Sequence, residues 1–198
     1  MKTIKLLLSL LIFLVFAILF GCKDNSTNPS TETGQLIPLA LNNMWVYKAE
    51  SYDSSGAIVS TRIDTLRVTG DTLINGETWY VFNGSKFSRS ANRLDGYYSY
   101  SKAPLLEYKY PAKVGDIILF SDSLKREVIS TNSPITVNNV SYNAYHYYDF
   151  YINNVTDLSW DIFNAPHIGQ IRIDAYRKKS QQIKYLSMRA DLISYKLN

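Results

Sequence analysis

Residues 73–82 read Leu73-Ile74-Asn75-Gly76-Glu77-Thr78-Trp79-Tyr80-Val81-Phe82. Asn-Gly between two runs of β-branched and aromatic residues is the strongest short-range hairpin signal, because both turn residues accept positive φ. The same grammar spreads outward. Asn138-Asn139 stands between residues 135–137 and 142–152, and Asp95-Gly96 precedes Tyr97-Tyr98-Ser99-Tyr100. Asp53-Ser54-Ser55-Gly56 separates residues 44–52 from residues 58–68. Further strand-like runs lie at 105–110, 117–120, 127–131, 170–177 and 183–197. After residue 35 no stretch keeps apolar residues at i, i+3, i+4 and i+7 over three turns, so no helix is expected. About ten strands at regular spacing predict one all-β antiparallel domain, either a curved, barrel-like sheet or a sandwich.

Composition narrows the classes. The chain has 198 residues, 46% hydrophobic and 14% aromatic, which argues for a packed domain. A body of about 160 residues buries enough surface to need no staples. One cysteine rules out an intrachain disulfide framework, a Cys-rich zinc module and an iron–sulfur centre. Two histidines make a His-rich metal site unexpected, and no cofactor is called for.

The N-terminus reads as an address with an anchor. Lys2 and Lys5 precede an apolar run from Leu6 to Phe20, followed by Gly21 and the sole cysteine, Cys22. A charged start, a short apolar core and a small residue make a secretory signal. The run is too short for a membrane span of about 20 residues. Leu19 at −3 and Gly21 at −1 resemble the bacterial lipobox, which implies cleavage before Cys22 and acylation of its thiol and new amine. The plainer alternative is an ordinary signal peptide or short anchor that happens to contain a cysteine. Several acyl chains on one residue anchor stably, at about 0.8 kcal/mol per buried CH2. Residues 23–35, KDNSTNPSTETGQ, contain no large apolar residue and read as a tether reaching roughly 20 Å. The expected organisation is therefore signal peptide 1–21, acylated Cys22 and tether 22–35, and β domain 36–198. Loss of Lys2 and Lys5 lowers the formal net charge from +4 to +2, so nucleic acid is not an expected partner. Lys23 at +2, where inner-membrane retention has Asp, points to the outer membrane, and the lack of an acidic run after Cys22 leaves the membrane face open.

Catalytic signals are sparse. No G-x-S-x-G elbow, EF-hand spacing or phosphate-cradling glycine loop occurs. His146 and Asp149 would face opposite sides of a strand, and His167 belongs to the turn before Gly169. Asp64, Asp71 and Asp116 are too scattered for a metal. The expectation is a protein that is not an enzyme.

Tyrosine is the unusual feature, with 16 copies. Tyr97, Tyr98 and Tyr100 crowd one strand. Tyr142, Tyr145, Tyr147, Tyr148 and Tyr151 crowd another, with His146 and Phe150 among them. Alternation places Tyr145, Tyr147 and Tyr151 on one face and Tyr148 and Phe150 on the other. Tyr97, Tyr98, Tyr100, Tyr145 and Tyr147 are the candidate aromatic binding surface. The plain alternative is strand-forming rings that pack with wet hydroxyls.

Four phrases carry a family resemblance. Residues 38–47, Pro-Leu-Ala-Leu-Asn-Asn-Met-Trp-Val-Tyr, resemble the P-L-x-x-G-x-x-W-x-Y opening of secreted Bacteroidota-like envelope lipoproteins, with Asn42 in place of Gly. Tyr110-Pro111-Ala112-Lys113-Val114-Gly115-Asp116 looks like the same phrase again, with Ile118 in place of Trp. Residues 135–145 are similar to a mid-chain hairpin of the family, with Val140 where Gly is usual. Ala165-Pro166-His167-Ile168-Gly169-Gln170-Ile171 resembles A-P-G-V-G-x-V, with His167 for its first Gly, and Leu192-Ile193-Ser194-Tyr195 resembles its closing strand. The resemblance implies an architecture of turns punctuating strands, hints at two similar halves, and implies no activity. The expected role is a lipid-anchored, non-catalytic binding or scaffolding domain of the cell envelope. The alternatives are a carrier of an apolar or lipid ligand in a barrel-like cavity, or a surface glycan binder. The expected partners are the membrane, through the anchor, and an envelope protein, lipid or glycan.

Overall fold

The computed structural model describes residues 34–83, 89–152, 157–179 and 183–198. Cys22, the signal peptide and nearly all of the tether lie outside the described residues. The described chain forms twelve strands. They are β1 (Met44–Tyr52), β2 (Ile58–Ile74), β3 (Glu77–Phe82), β4 (Arg89–Arg93), β5 (Gly96–Tyr100), β6 (Pro104–Lys109), β7 (Ile117–Leu119), β8 (Leu124–Val137), β9 (Val140–Tyr151), β10 (Leu158–Ala165), β11 (Gly169–Lys178) and β12 (Lys184–Lys196). All belong to one antiparallel sheet in the order β6-β5-β4-β3-β2-β1-β12-β11-β10-β9-β8-β7. Each half of the chain is a six-strand meander, and β1 against β12 joins the halves. The sheet curls into a nearly closed barrel whose remaining gap lies between β6 and β7.

Turn chemistry explains the hairpins. Asn75 and Gly76 take φ of 53° and 80°, and Asn138 and Asn139 take 49° and 65°, the two positive values such a turn needs. The two copies of the opening phrase do the same work. Asn42 (φ 69°) and Gly115 (φ 84°) turn the chain into β1 and β7. The Asn42 amide donates to the Val68 carbonyl, and the Val68 amide donates to Asn43. The Gly115 amide likewise donates to Val128, whose amide donates to Asp116. Each six-strand half therefore opens by clamping its first turn onto a fully buried valine of its second strand.

The observed strands correct the expected set. Two were missed. β4, Arg-Ser-Ala-Asn-Arg, has no β-branched or aromatic residue and is held by its ladder to β5. β10 carries Leu158, Trp160 and Ile162 in alternation between β9 and β11. Two expected pairs are single strands: residues 58–68 and 73–74 are one β2, and residues 127–131 and 135–137 are one β8. β2 serves two partners, β1 along residues 58–67 and β3 from Val68 onward.

The inward faces meet in a continuous aromatic and aliphatic core. One cluster gathers Trp45, Val68, Phe82, Ile171 and Leu192, and a second gathers Tyr108, Val128, Tyr145, Tyr147 and Ile162. The gap is bridged by side chains. Arg126 on β8 donates to the Glu107 carbonyl at 2.7 Å, and the Tyr147 hydroxyl donates to the Lys109 carbonyl at 2.9 Å. Two carbonyls of the edge strand β6 are thus satisfied without a ladder.

Candidate functional site

The inward face contains a recess of about 260 Å³. β1 supplies Trp45 and Tyr47, whose polar tips are tied off: Trp45 Nε1 donates to the Ile168 carbonyl at 2.6 Å, and Tyr47 Oη to the Gln170 carbonyl at 3.0 Å. Phe82, Tyr97 and Tyr108 complete an aromatic wall. The polar part is Ser90, Ser99 and Glu107. Tyr97 Oη donates to Ser90 Oγ, and Ser99 Oγ donates to a Glu107 carboxylate oxygen, both at 2.6 Å. Leu66, opposite Trp45 in the β1–β2 ladder, also lines the recess and is exposed, so solvent reaches it past β2.

Burial sets the electrostatics. It raises the phenol pKa values of Tyr47, Tyr97 and Tyr108 above their ordinary range, so these rings present neutral hydroxyls. Beside them Arg126 is held bidentate by Asp149 at 2.6 and 2.7 Å, with both side chains buried. Its guanidinium lies 4.3 Å from the Tyr108 ring centroid and 3.8 Å from the Glu107 carboxylate. Asn164 is fully buried, and neither polar atom of its side chain meets a hydrogen-bond partner among the described residues.

The expected aromatic surface is divided by the fold. Tyr97 lines the recess. Tyr98 and Tyr100 alternate to the other face of β5, where Arg93 lies 4.5 Å from the Tyr98 ring centroid and Trp79 meets Tyr100 edge-on at 5.0 Å. Tyr145 and Tyr147 are 5% and 0% exposed and stack on one another inside the barrel, so they offer no open platform. The expected alternation along β9 holds: Tyr148 stacks on Phe150 on the opposite face. Trp45, Tyr47, Tyr108 and Glu107 join the site without any short-range motif that marks them. Their signal was visible only as the inward register of four separate strands, which needs the pairing order to be read.

Asp149 faces Arg126, and Asp161 hydrogen-bonds His146 at 2.7 Å. The His146 ring stacks on Phe163 at 4.4 Å, which anchors β9 to β10. Ser130 stands opposite His146 in register, and its hydroxyl accepts the Asn132 amide. His167 occupies the turn as expected, with φ 65°. No group of three metal-ligating side chains gathers among the described residues. A second recess of about 420 Å³ is lined by Tyr52, Trp160, Arg177 and Tyr185. Residues 153–156 and 180–182, close to it in sequence, lie outside the described residues.

No protein-family model matches the chain, and no curated protein matches it by sequence. Among solved structures, it is similar to a protein from Bacteroides fragilis titled as exported and of YmcC-like fold. That match has a TM-score of 0.46 and 12% identity, over 83% of this chain and 100% of the other. It is also similar to a protein from Parabacteroides distasonis titled as a lipoprotein, with a TM-score of 0.39 and 11% identity, over 82% and 99%. Both scores fall below 0.5.

Proposed function

We propose that this chain is a lipid-anchored cell-envelope protein whose barrel binds a small ligand in the recess between β1 and β3–β6, without catalysis. The observation that carries the binding role is the recess itself: a continuous aromatic wall with a few oriented polar groups, the usual make-up of a small-molecule site. The envelope location rests on the signal and Cys22 at the N-terminus. A volume of about 260 Å³ falls just below the usual range of such sites, roughly 300–1,000 Å³, and favours a small ligand over a long acyl chain. The hydroxyls and carboxylate point the same way, since an acyl chain would cover them without adding a hydrogen bond.

The test is native mass spectrometry of the Cys22→Ser chain, secreted and purified without detergent. The expected result is a fixed-mass adduct, lost when Tyr97→Trp fills the recess. A bare mass from the folded chain, unchanged on incubation with envelope extract, would count against a tight-binding role. For the anchor, labelling with a radioactive fatty acid should mark the natural chain and not the Cys22→Ser chain.

A further inference from the structure

We infer that the recess selects a small organic cation, an alkylammonium or quaternary ammonium group, with Glu107 as its counter-charge. The inference rests on the ligand-binding reading above and names the ligand class. Charge balance comes first. Around Arg126 stand two carboxylates. Asp149 takes the guanidinium bidentate at 2.6 and 2.7 Å, which uses that positive charge in direct hydrogen bonds. Glu107 is left 3.8 Å from the same group, and its short hydrogen bond comes from the neutral Ser99 hydroxyl. One cation beside two anions leaves a net negative charge, and Glu107 carries it on the recess wall. Among the described residues that wall contains no lysine, arginine or histidine.

The aromatic rings supply the second half. Trp, Tyr and Phe attract a cation through the negative faces of their π systems, the more strongly as water is removed. Trp45, Tyr47, Phe82, Tyr97 and Tyr108 surround the space. The cluster already takes a cation on one side, since Arg126 sits over Tyr108 at 4.3 Å. An anion would meet the carboxylate unfavourably. A neutral ligand would make no use of the Glu107 charge, which Arg126 meets only at 3.8 Å. A small cation satisfies both.

The experiment is calorimetric titration of the Cys22→Ser chain with choline and with its uncharged isostere 3,3-dimethyl-1-butanol. Choline is expected to bind at least about tenfold more tightly, and Glu107→Gln to bring it down to the level of the alcohol. Tyr97→Leu keeps the charge and removes a ring. It should weaken choline and leave the alcohol nearly unchanged, and it serves if Glu107→Gln does not fold. Equal binding of both probes, or choline binding indifferent to both variants, would overturn the cation and leave the recess standing as a site for uncharged ligands. Binding of the alcohol alone would do the same. Binding of neither probe by the folded chain would also overturn the cation. The adduct experiment above then decides separately whether the recess binds anything.

Discussion

Trp45 and Tyr47 lie two residues apart on β1, so both point into the barrel, and both reach the carbonyls of the turn and strand that begin β11. Their bodies fill the core, and their polar atoms fasten the start of the first half to the end of the second. Tyrosine suits this role because it buries a ring and can still satisfy its hydroxyl locally. The cost appears at high pH. Burial raises the folded pKa values of Tyr47, Tyr97, Tyr108 and Tyr147 above the ordinary value near 10. The unfolded chain loses these protons near pH 10, while the folded chain holds them. Their contribution to stability is therefore complete below about pH 10 and is lost as pH rises toward the folded values. The urea midpoint should stay level to about pH 10 and then fall. A phenolate absorbance titration of the folded protein should show these tyrosines silent near pH 10. Uniform titration of all 16 near that pH, with the fold intact, would contradict the burial argument.

Among the elements, β6 has the sharpest problem, because it ends the sheet at the gap opposite β7 and has no ladder on that side. Arg126 solves it by reaching from β8 to the Glu107 carbonyl while Asp149 neutralises it. Both charges are buried, so removing one leaves the other unpaired, at about 3–5 kcal/mol. Arg126→Met should lower unfolding free energy by about that amount in a denaturant melt. Arg126→Met with Asp149→Leu should recover most of it, since a buried pair replaced by apolar side chains is often neutral. An equal loss in the single and double variants would show that Arg126 acts through the β6 carbonyl or the Tyr108 face instead. No short-range pattern announces this pair: Arg126 and Asp149 are 23 residues apart and meet because their positions are opposed in the β8–β9 register. The same limit hid β4, whose strand form is imposed by β5, and hid the choice of His146 by Asp161.

At the scale of the whole molecule, the two six-strand meanders depend on β1 meeting β12, a pairing of chain ends such as Met44 with Lys196. Contacts of such long sequence separation cost closure entropy before they return anything, so folding should be slow, on the order of milliseconds to seconds. A chain stopped after Lys179 keeps the first eleven strands and exposes one edge of β1. It is expected to lose the cooperative thermal transition seen by circular dichroism. A sharp transition in the truncated chain would show that the β1–β12 ladder is dispensable. The sequence by itself determined what is local. Asn-Gly and Asn-Asn set turns because few residues accept positive φ. Alternation assigned faces along β9, and the lack of a helical period left strands. The repeated opening phrase marked the starts of β1 and β7. Tertiary structure alone decided how many strands joined one sheet, that the sheet curls toward a barrel rather than a sandwich, and which tyrosines are core. It also decided where Trp45, Tyr97, Glu107 and Tyr108 converge. The physical reason is that a strand's partners and a recess's walls are set by register between distant segments, whose energies exist only once the chain has closed.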